Sequence, residues 1–211
     1  AVLDRGKVIL DSIDEATFSE ITDSGHTVAA VMAGIEAAES VGLGPIKINT
    51  VVKRNTNKDE ILDLVERFSN RDIAVRFIEF MDVGTTNGWS MEEVVSAEEI
   101  RDMFDDLTAI NPTNKSDVAK RYSLPSGDEI GLISSVTEPF CGDCSRARIS
   151  ADGRLFTCLF SNRGLDLLSP IRLGYSDEQI ASIITSTWNA RDDRYSEMRS
   201  ESTSELQKVE M

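Results

Sequence analysis

The sequence has few of the residues that carry chemistry in most enzymes. Among 211 residues there is one histidine, and cysteine occurs three times. One histidine without a partner forms no catalytic pair, and His26, in Ser24-Gly25-His26-Thr27 ahead of a helical pattern, reads as a turn or helix-start residue. An odd cysteine count argues against a disulfide framework. No run reaches the roughly 18 consecutive apolar residues of a membrane span. Asp4, Arg5 and Lys7 interrupt the first residues, where a secretory signal would be apolar. Positive charge is also scarce: 22 Lys and Arg face 37 Asp and Glu, a formal net charge of −15. That balance argues against broad adhesion to nucleic acid or an anionic membrane, yet a few cations focused in a cleft can still dominate the field there. Acidic runs such as Glu92-Glu93 and Asp192-Asp193 read as solvated faces. The expectation is a cytoplasmic protein with neither nucleic acid nor membrane as a partner.

What is present suffices for a sizeable core, since 40% of the residues are hydrophobic. Val8 to Leu10 is a short apolar run, and Ile13 to Ile21 reads as a brief helix. Val28, Val31, Met32 and Ile35 recur at helical spacing, so Thr27 can cap a helix running to about Ser40, with Gly42 and Gly44-Pro45 ending it. Ile46 to Val52 is strand-like. Ile61, Leu64, Val65 and Phe68 mark another helix, and Ala74 to Phe80 a further strand. Strand, helix, strand, helix, strand is the pattern of βα units on a parallel sheet, so the class is α/β. About three such units are visible, against about 250 residues for a closed eight-stranded barrel, which points to a partial TIM-type (βα) barrel.

Beyond Met81 the pattern changes. Asp82 to Trp89 is a loop, Ser96 opens a short helix, and Asn111 to Asp117 is polar loop. Hairpins are expected around Pro125-Ser126-Gly127-Asp128 and around Asp152-Gly153, the second joining Ala147–Ile149 to Arg154–Leu159. Ser176-Asp-Glu-Gln179 is a capping box opening a last helix with Ile180, Ile183 and Ile184 inward, before a charged tail from Arg191. The division read from this pattern is 1–90, the barrel part, and 91–211, an antiparallel C-terminal region.

All three cysteines fall in that region: Cys141-Gly-Asp-Cys144 and, thirteen residues on, Cys158 on the second strand of the expected hairpin. A Cys-x-x-Cys turn presents two thiolates to one metal, and the hairpin can return the third. Three thiolates suit a [4Fe-4S] cluster with one iron left without a protein ligand. A structural zinc would need a fourth ligand from elsewhere, and inert buried thiols are the plainest alternative. Arg146 and Arg148, two apart on an expected strand, would share a face and suit phosphate or a purine edge; an exposed basic strand is the alternative. Lys47 and Arg76 are cations inside apolar strands, where each wants an anionic partner, either a ligand or a structural ion pair.

The segment Pro139-Phe-Cys-Gly-Asp-Cys-Ser-Arg-Ala-Arg-Ile-Ser-Ala-Asp-Gly-Arg-Leu-Phe-Thr-Cys-Leu-Phe160, with Ile46-Lys-Ile-Asn-Thr50 and Arg76-Phe-Ile-Glu-Phe-Met81, resembles the MoaA family, the GTP 3′,8-cyclases of molybdenum cofactor synthesis. The resemblance covers essentially the whole chain. It implies a radical S-adenosylmethionine enzyme with one cluster near the family's N-terminus and a second held by the C-terminal cysteines. Residue by residue, Cys141, Cys144 and Cys158 match the second cluster's ligands. Arg146, Ala147, Arg148 and Lys47 match GTP contacts, and Met81 matches a residue at the S-adenosylmethionine site; Arg76 is a further candidate beside them. GTP and, in the full-length family, S-adenosylmethionine are the implied small-molecule partners.

The departures from the family pattern are specific. Its Cys-x-x-x-Cys-x-x-Cys motif for the first cluster is absent, and Val8-Ile9-Leu10-Asp11 places Ile9 where the family has serine. The tail ends at Glu210-Met211, without the family's terminal Gly-Gly. The resemblance therefore implies the C-terminal, substrate-binding part of the enzyme, beginning within the barrel and catalytically incompetent alone. An exposed strand edge would then favour self-association, including a homodimer. A non-catalytic zinc-binding module and a metal-free acidic interaction domain are the alternatives from other classes.

Overall fold

The computed structural model describes residues 5–82, 89–112, 117–139, 141, 144–161 and 163–191. The chain divides into two units, 1–138 and 139–211. The expected loop at 83–88, part of the polar loop at 113–116, and the acidic pair and tail beyond 191 lie outside the described residues.

In the first unit the strands are β1 (Gly6–Ile9), β2 (Ile46–Val52), β3 (Ile73–Glu79), β4 (Thr108–Ile110), β5 (Lys120–Ser123) and β6 (Glu129–Ile133). They form one six-stranded sheet in the order β1-β2-β3-β6-β5-β4. The β1–β2, β2–β3 and β3–β6 pairs are parallel, whereas β4 and β5 return antiparallel. The helices α1 (Glu15–Thr22), α2 (Val28–Ser40) and α3 (Ile61–Arg67) make the crossovers, and α4 (Ala97–Arg101) follows β3.

Each boundary has a local cause. Asp14 caps α1 by accepting from the N–H groups of Ala16 and Thr17, and Thr27 caps α2 through Ala30. The Glu15 carboxylate also accepts from Val28 and Ala29 at 3.1 and 3.3 Å, so α1 supplies an anion to the N-terminus of α2. Period-2 alternation then sorts the strands. Ile46, Ile48 and Val52 on β2, and Ile73, Val75 and Phe77 on β3, pack with Met32, Ile35, Ile61, Leu64, Phe68, Val95 and Ile100 into one core on the helix-covered face. Lys47 and Asn49 on β2, Arg76 on β3 and Gly131 on β6 alternate onto the other face.

The hairpin Lys120–Ser123/Glu129–Ile133, grouped by pattern with the C-terminal region, instead extends the main sheet. Ile130 and Leu132 are buried core residues, and β6 satisfies the edge of β3 in parallel register. The three-residue β4 is not among the expected strands, because Thr-Ala-Ile is too short to show alternation.

The second unit contains a three-stranded antiparallel sheet, β7 (Arg148–Ile149), β8 (Arg154–Phe156) and β9 (Leu165–Asp166), with α5 (Leu168–Arg172) and α6 (Asp177–Asn189). The β7–β8 turn requires Gly153: its φ is +77°, and a Cβ there would lie 2.7 Å from the Leu168 Cβ. The capping box at Ser176 and Gln179 is complete, both reciprocal bonds being present. Ile180, Ile183 and Ile184 are half-buried rather than fully inward. Among the described residues no helix is long and apolar enough to cross a membrane.

Candidate functional site

In the first unit a row of cations crosses the sheet face opposite the helices. In Cα register Lys7 on β1 neighbours Lys47 on β2; one pleat further, Asn49 neighbours Arg76, Arg76 neighbours Gly131, and Gly131 neighbours Arg121 on β5. Register pairing, parallel from β1 to β6 and antiparallel to β5, with matched alternation places all of them on one face. Gly131 gives the arginine room, because a Cβ there would come within 3.1 Å of Arg76 Cγ.

These cations are electrostatically coupled. Burial, then the charge of Arg76, holds the Lys47 ammonium below its usual pKa, while Glu129 pulls it back up. Arg76 is likewise depressed first by burial, with Glu129 and Asp117 opposing and Arg121 reinforcing. The Arg76 Nε is buried and has no hydrogen-bond partner among the described residues, and neither has the Asn49 Oδ1 beside it. Arg121 by contrast is forked onto Glu129, its Nε donating to Oε1 at 2.8 Å and its Nη2 to Oε2. A half-buried guanidinium with an unsatisfied N–H, next to a second cation, is suited to receive an anion. Sequence reasoning found Lys47 and Arg76. It missed Lys7, Asn49, Arg121 and Glu129, although Lys47 and Asn49 at alternate positions of one apolar strand were a visible signal.

At the C-terminal ends of β1 and β2 a buried polar network fixes the strand ends. The Asp11 Oδ1 accepts from the Val51 N–H at 2.7 Å, and the Asn57 side-chain amide donates to the carbonyls of Asp11 and Val51 at 2.6 and 2.8 Å. Burial pushes the Asp11 carboxyl up, against that backbone bond. Ile9 ends β1 and is 68% exposed. Glu79, at the end of β3, is 1% exposed and accepts from the N–H groups of Ala97, Val136 and Thr137 at 2.8, 2.7 and 2.8 Å, and from the Thr137 hydroxyl. Met81, two residues on, is partly buried.

In the second unit the three cysteines are free thiols of intermediate burial. The Cys144 N–H donates to the Cys141 carbonyl at 3.2 Å. Cys158 lies two residues past β8 rather than on it, because the strand ends at Phe156. Likewise only Arg148 belongs to β7; Arg146 and Ala147 precede it in irregular chain, and all three are exposed. The shared-face argument for the two arginines therefore does not apply. Arg146 acts on the cysteine itself: burial raises the Cys144 thiol, but hydrogen bonds from the Arg146 backbone and side chain, with the charges of Arg146 and Arg191, outweigh it and lower the pKa. Arg191, just past α6 and stacked 4.1 Å from the Trp188 ring centre, also donates to the Cys144 carbonyl at 2.6 Å.

The chemistry of this donor set fits a thiolate-bound metal group: three free thiols, two of them in Cys-x-x-Cys spacing, and cations that favour the Cys144 thiolate. Convergence is a separate matter. Among the described residues no three His, Cys, Asp or Glu side chains are grouped to hold a metal ion.

The family described as Molybdenum Cofactor Synthesis C matches residues 73–197. A protein named GTP 3′,8-cyclase from Xanthomonas campestris pv. campestris (strain B100) is 41% identical over 215 residues, covering 100% of this chain and 63% of the relative. Its namesake from Staphylococcus carnosus (strain TM300) is 40% identical, with 99% and 62% covered. That from Acidothermus cellulolyticus is 41% identical, with 94% and 57% covered. The chain thus spans about three-fifths of the length of these curated relatives. With the family match extending over more than half of its residues, the chain belongs to the Molybdenum Cofactor Synthesis C family.

Proposed function

We propose that this chain is the C-terminal, substrate-binding part of a GTP 3′,8-cyclase, the radical S-adenosylmethionine enzyme that converts GTP to 3′,8-cyclo-7,8-dihydro-GTP in molybdopterin synthesis. The observation that carries this reading is the roughly 40% identity to relatives of that name along essentially the whole chain. In it Cys141, Cys144 and Cys158 hold a [4Fe-4S] cluster, which when bound supplies an iron free to take a substrate ligand. Cys158 closes onto the Cys-x-x-Cys turn as the group is bound, since the folding energy of such a site is supplied by the metal. Arg146, Ala147 and Arg148 contact GTP, Lys47 and Arg76 receive its anionic groups, and Met81 lies at the S-adenosylmethionine site. A sheet with helices on one face and charged residues on the other suits part of a TIM-type (βα) barrel whose interior takes the ligand. The protein is cytoplasmic in this reading.

Anaerobic reconstitution with iron and sulfide tests it. The expected result is a brown protein absorbing near about 400 nm, as thiolate-bound clusters do, that binds GTP in calorimetry. Cys158→Ala loses iron and GTP binding together. Arg146→Ala and Arg148→Ala keep iron and each lose about tenfold to hundredfold in GTP affinity, the equivalent of one charge-assisted bond. Colourless protein carrying stoichiometric zinc, or arginine variants with unchanged affinity, overturns it.

A further inference from the structure

The Arg121–Glu129 pair sits on the same sheet face as Lys47 and Arg76, and neither of its members has a role in the proposed GTP site, on which this inference rests. Among the described residues Glu129 is the one carboxylate whose charge acts on both Lys47 and Arg76; Arg121 and Lys7 are the opposing cations at Lys47, and Arg121 and Asp117 act with Glu129 at Arg76. A carboxylate in that position would normally pair with the nearest buried guanidinium and fill the anion site from within. Here both of its oxygens are taken by the guanidinium fork of Arg121, across adjacent antiparallel strands, with the two side chains only 25% and 24% exposed. The Arg76 Nε meanwhile has no partner among the described residues.

We propose that Arg121 is a positioning residue: it sequesters Glu129, so that Lys47 and Arg76 remain available to an anionic ligand, the polyphosphate of a nucleotide if the face takes GTP. Arg121 itself touches no ligand. It acts by denying Glu129 to Arg76, and Gly131, between Arg76 and Arg121 in register, keeps the two side chains from being separated by a third. Removing Arg121 therefore does more than subtract one positive charge from the face. It frees an internal competitor, and removing Glu129 as well takes the competitor away.

The test is a double-variant cycle read by calorimetry, with GTP and with inorganic tripolyphosphate as probes. Arg121→Gln should weaken both about tenfold, because a freed carboxylate must be displaced from Arg76 by the ligand. Arg121→Gln/Glu129→Gln should recover to within about threefold of the parent chain, a non-additivity that a direct contact or a folding defect would not produce. A double variant no tighter than Arg121→Gln, or an Arg121→Gln chain that binds like the parent, overturns the proposal. Lys47→Gln separates the two levels: if it weakens binding while the cycle shows no rescue, only the positioning role fails, and if it binds like the parent, the ligand reading of this face fails. The pairing is also read without ligand, from arginine Nε–H resonances. The Arg76 resonance should shift in Arg121→Gln and return toward its parent position in Arg121→Gln/Glu129→Gln; an Arg76 resonance unchanged by Arg121→Gln overturns the proposal too.

Discussion

Arg76 surrenders part of its hydration on β3 and leaves its Nε without a partner among the described residues, so its charge costs the folded chain stability that an anion would return. Arg76→Met should therefore raise the thermal midpoint, by roughly 3 °C for about 1 kcal/mol, while GTP affinity falls at least about tenfold. A midpoint that drops on this substitution would show that Arg76 is a structural cation. Glu79 has the opposite character. Its carboxylate accepts four hydrogen bonds while 1% exposed, joining β3 to the start of α4 and to Val136–Thr137. Glutamine at this position has one acceptor oxygen and brings two donors among donors. Glu79→Gln should cost about 2–4 kcal/mol in urea unfolding, the loss of charge-assisted bonds plus an unsatisfied N–H; a change under about 0.5 kcal/mol would contradict the bonding described.

Among the elements, α4 is the shortest α-helix described in the first unit, with Ala97 and Ile100 buried and Glu99 paired to cations. Arg54 donates to both oxygens of Glu99 at 2.8 and 2.7 Å, and Lys58 pairs with the same carboxylate, so bonds from Arg54 and then Lys58 bring Glu99 from the ordinary 4.5 down to about 2. A depressed folded pKa means that the stability is fully present above pH 4.5 and is lost as the pH falls through about 2. Solvent screening at side chains 24–36% exposed reduces it to about 1 kcal/mol. Glu99→Gln should therefore flatten the acid unfolding curve in that window and leave the slope above about pH 5 unchanged. At the sheet's edge, β1 pairs only with β2 among the described strands, and Ile9 stands 68% exposed at its end. Unpaired strand groups beside an apolar side chain invite another strand, so sedimentation should show concentration-dependent self-association, reduced by Ile9→Lys.

For the molecule as a whole, three cysteines permit one three-thiolate group and no more. Reconstituted chain, given S-adenosylmethionine and a reductant, should form no 5′-deoxyadenosine above a cluster-free control; turnover would mean that the C-terminal thiols carry out chemistry beyond substrate binding. The first unit keeps a core of its own, and its cation face is built from strands far apart in sequence, so cation-face variants should lower anion affinity while leaving iron content unchanged.

Much of this is legible in the sequence. Alternation in Ile46–Val52 and Ile73–Glu79, the caps at Thr27 and Ser96 and the box at Ser176 are local, governed by side-chain periodicity and by backbone groups within a turn, so the chain itself determines them. The cysteine spacing and the cations inside apolar strands are equally visible there. Which strands become neighbours is not, because pairing is a long-range choice made by burying Ile130 and Leu132 against the β3 edge. That choice brings the Lys120–Ile133 hairpin into the main sheet and sets Arg121 and Glu129 beside Arg76. Local pattern likewise extends β8 to Cys158 and β7 to Arg146, whereas the short sheet's pairing ends at Phe156 and begins at Arg148. Sequence thus determined which residues are cations on strands; only tertiary packing decided which of them found an anion inside the protein, as Arg121 did in Glu129, and which, like Arg76 with its buried Nε, did not among the described residues.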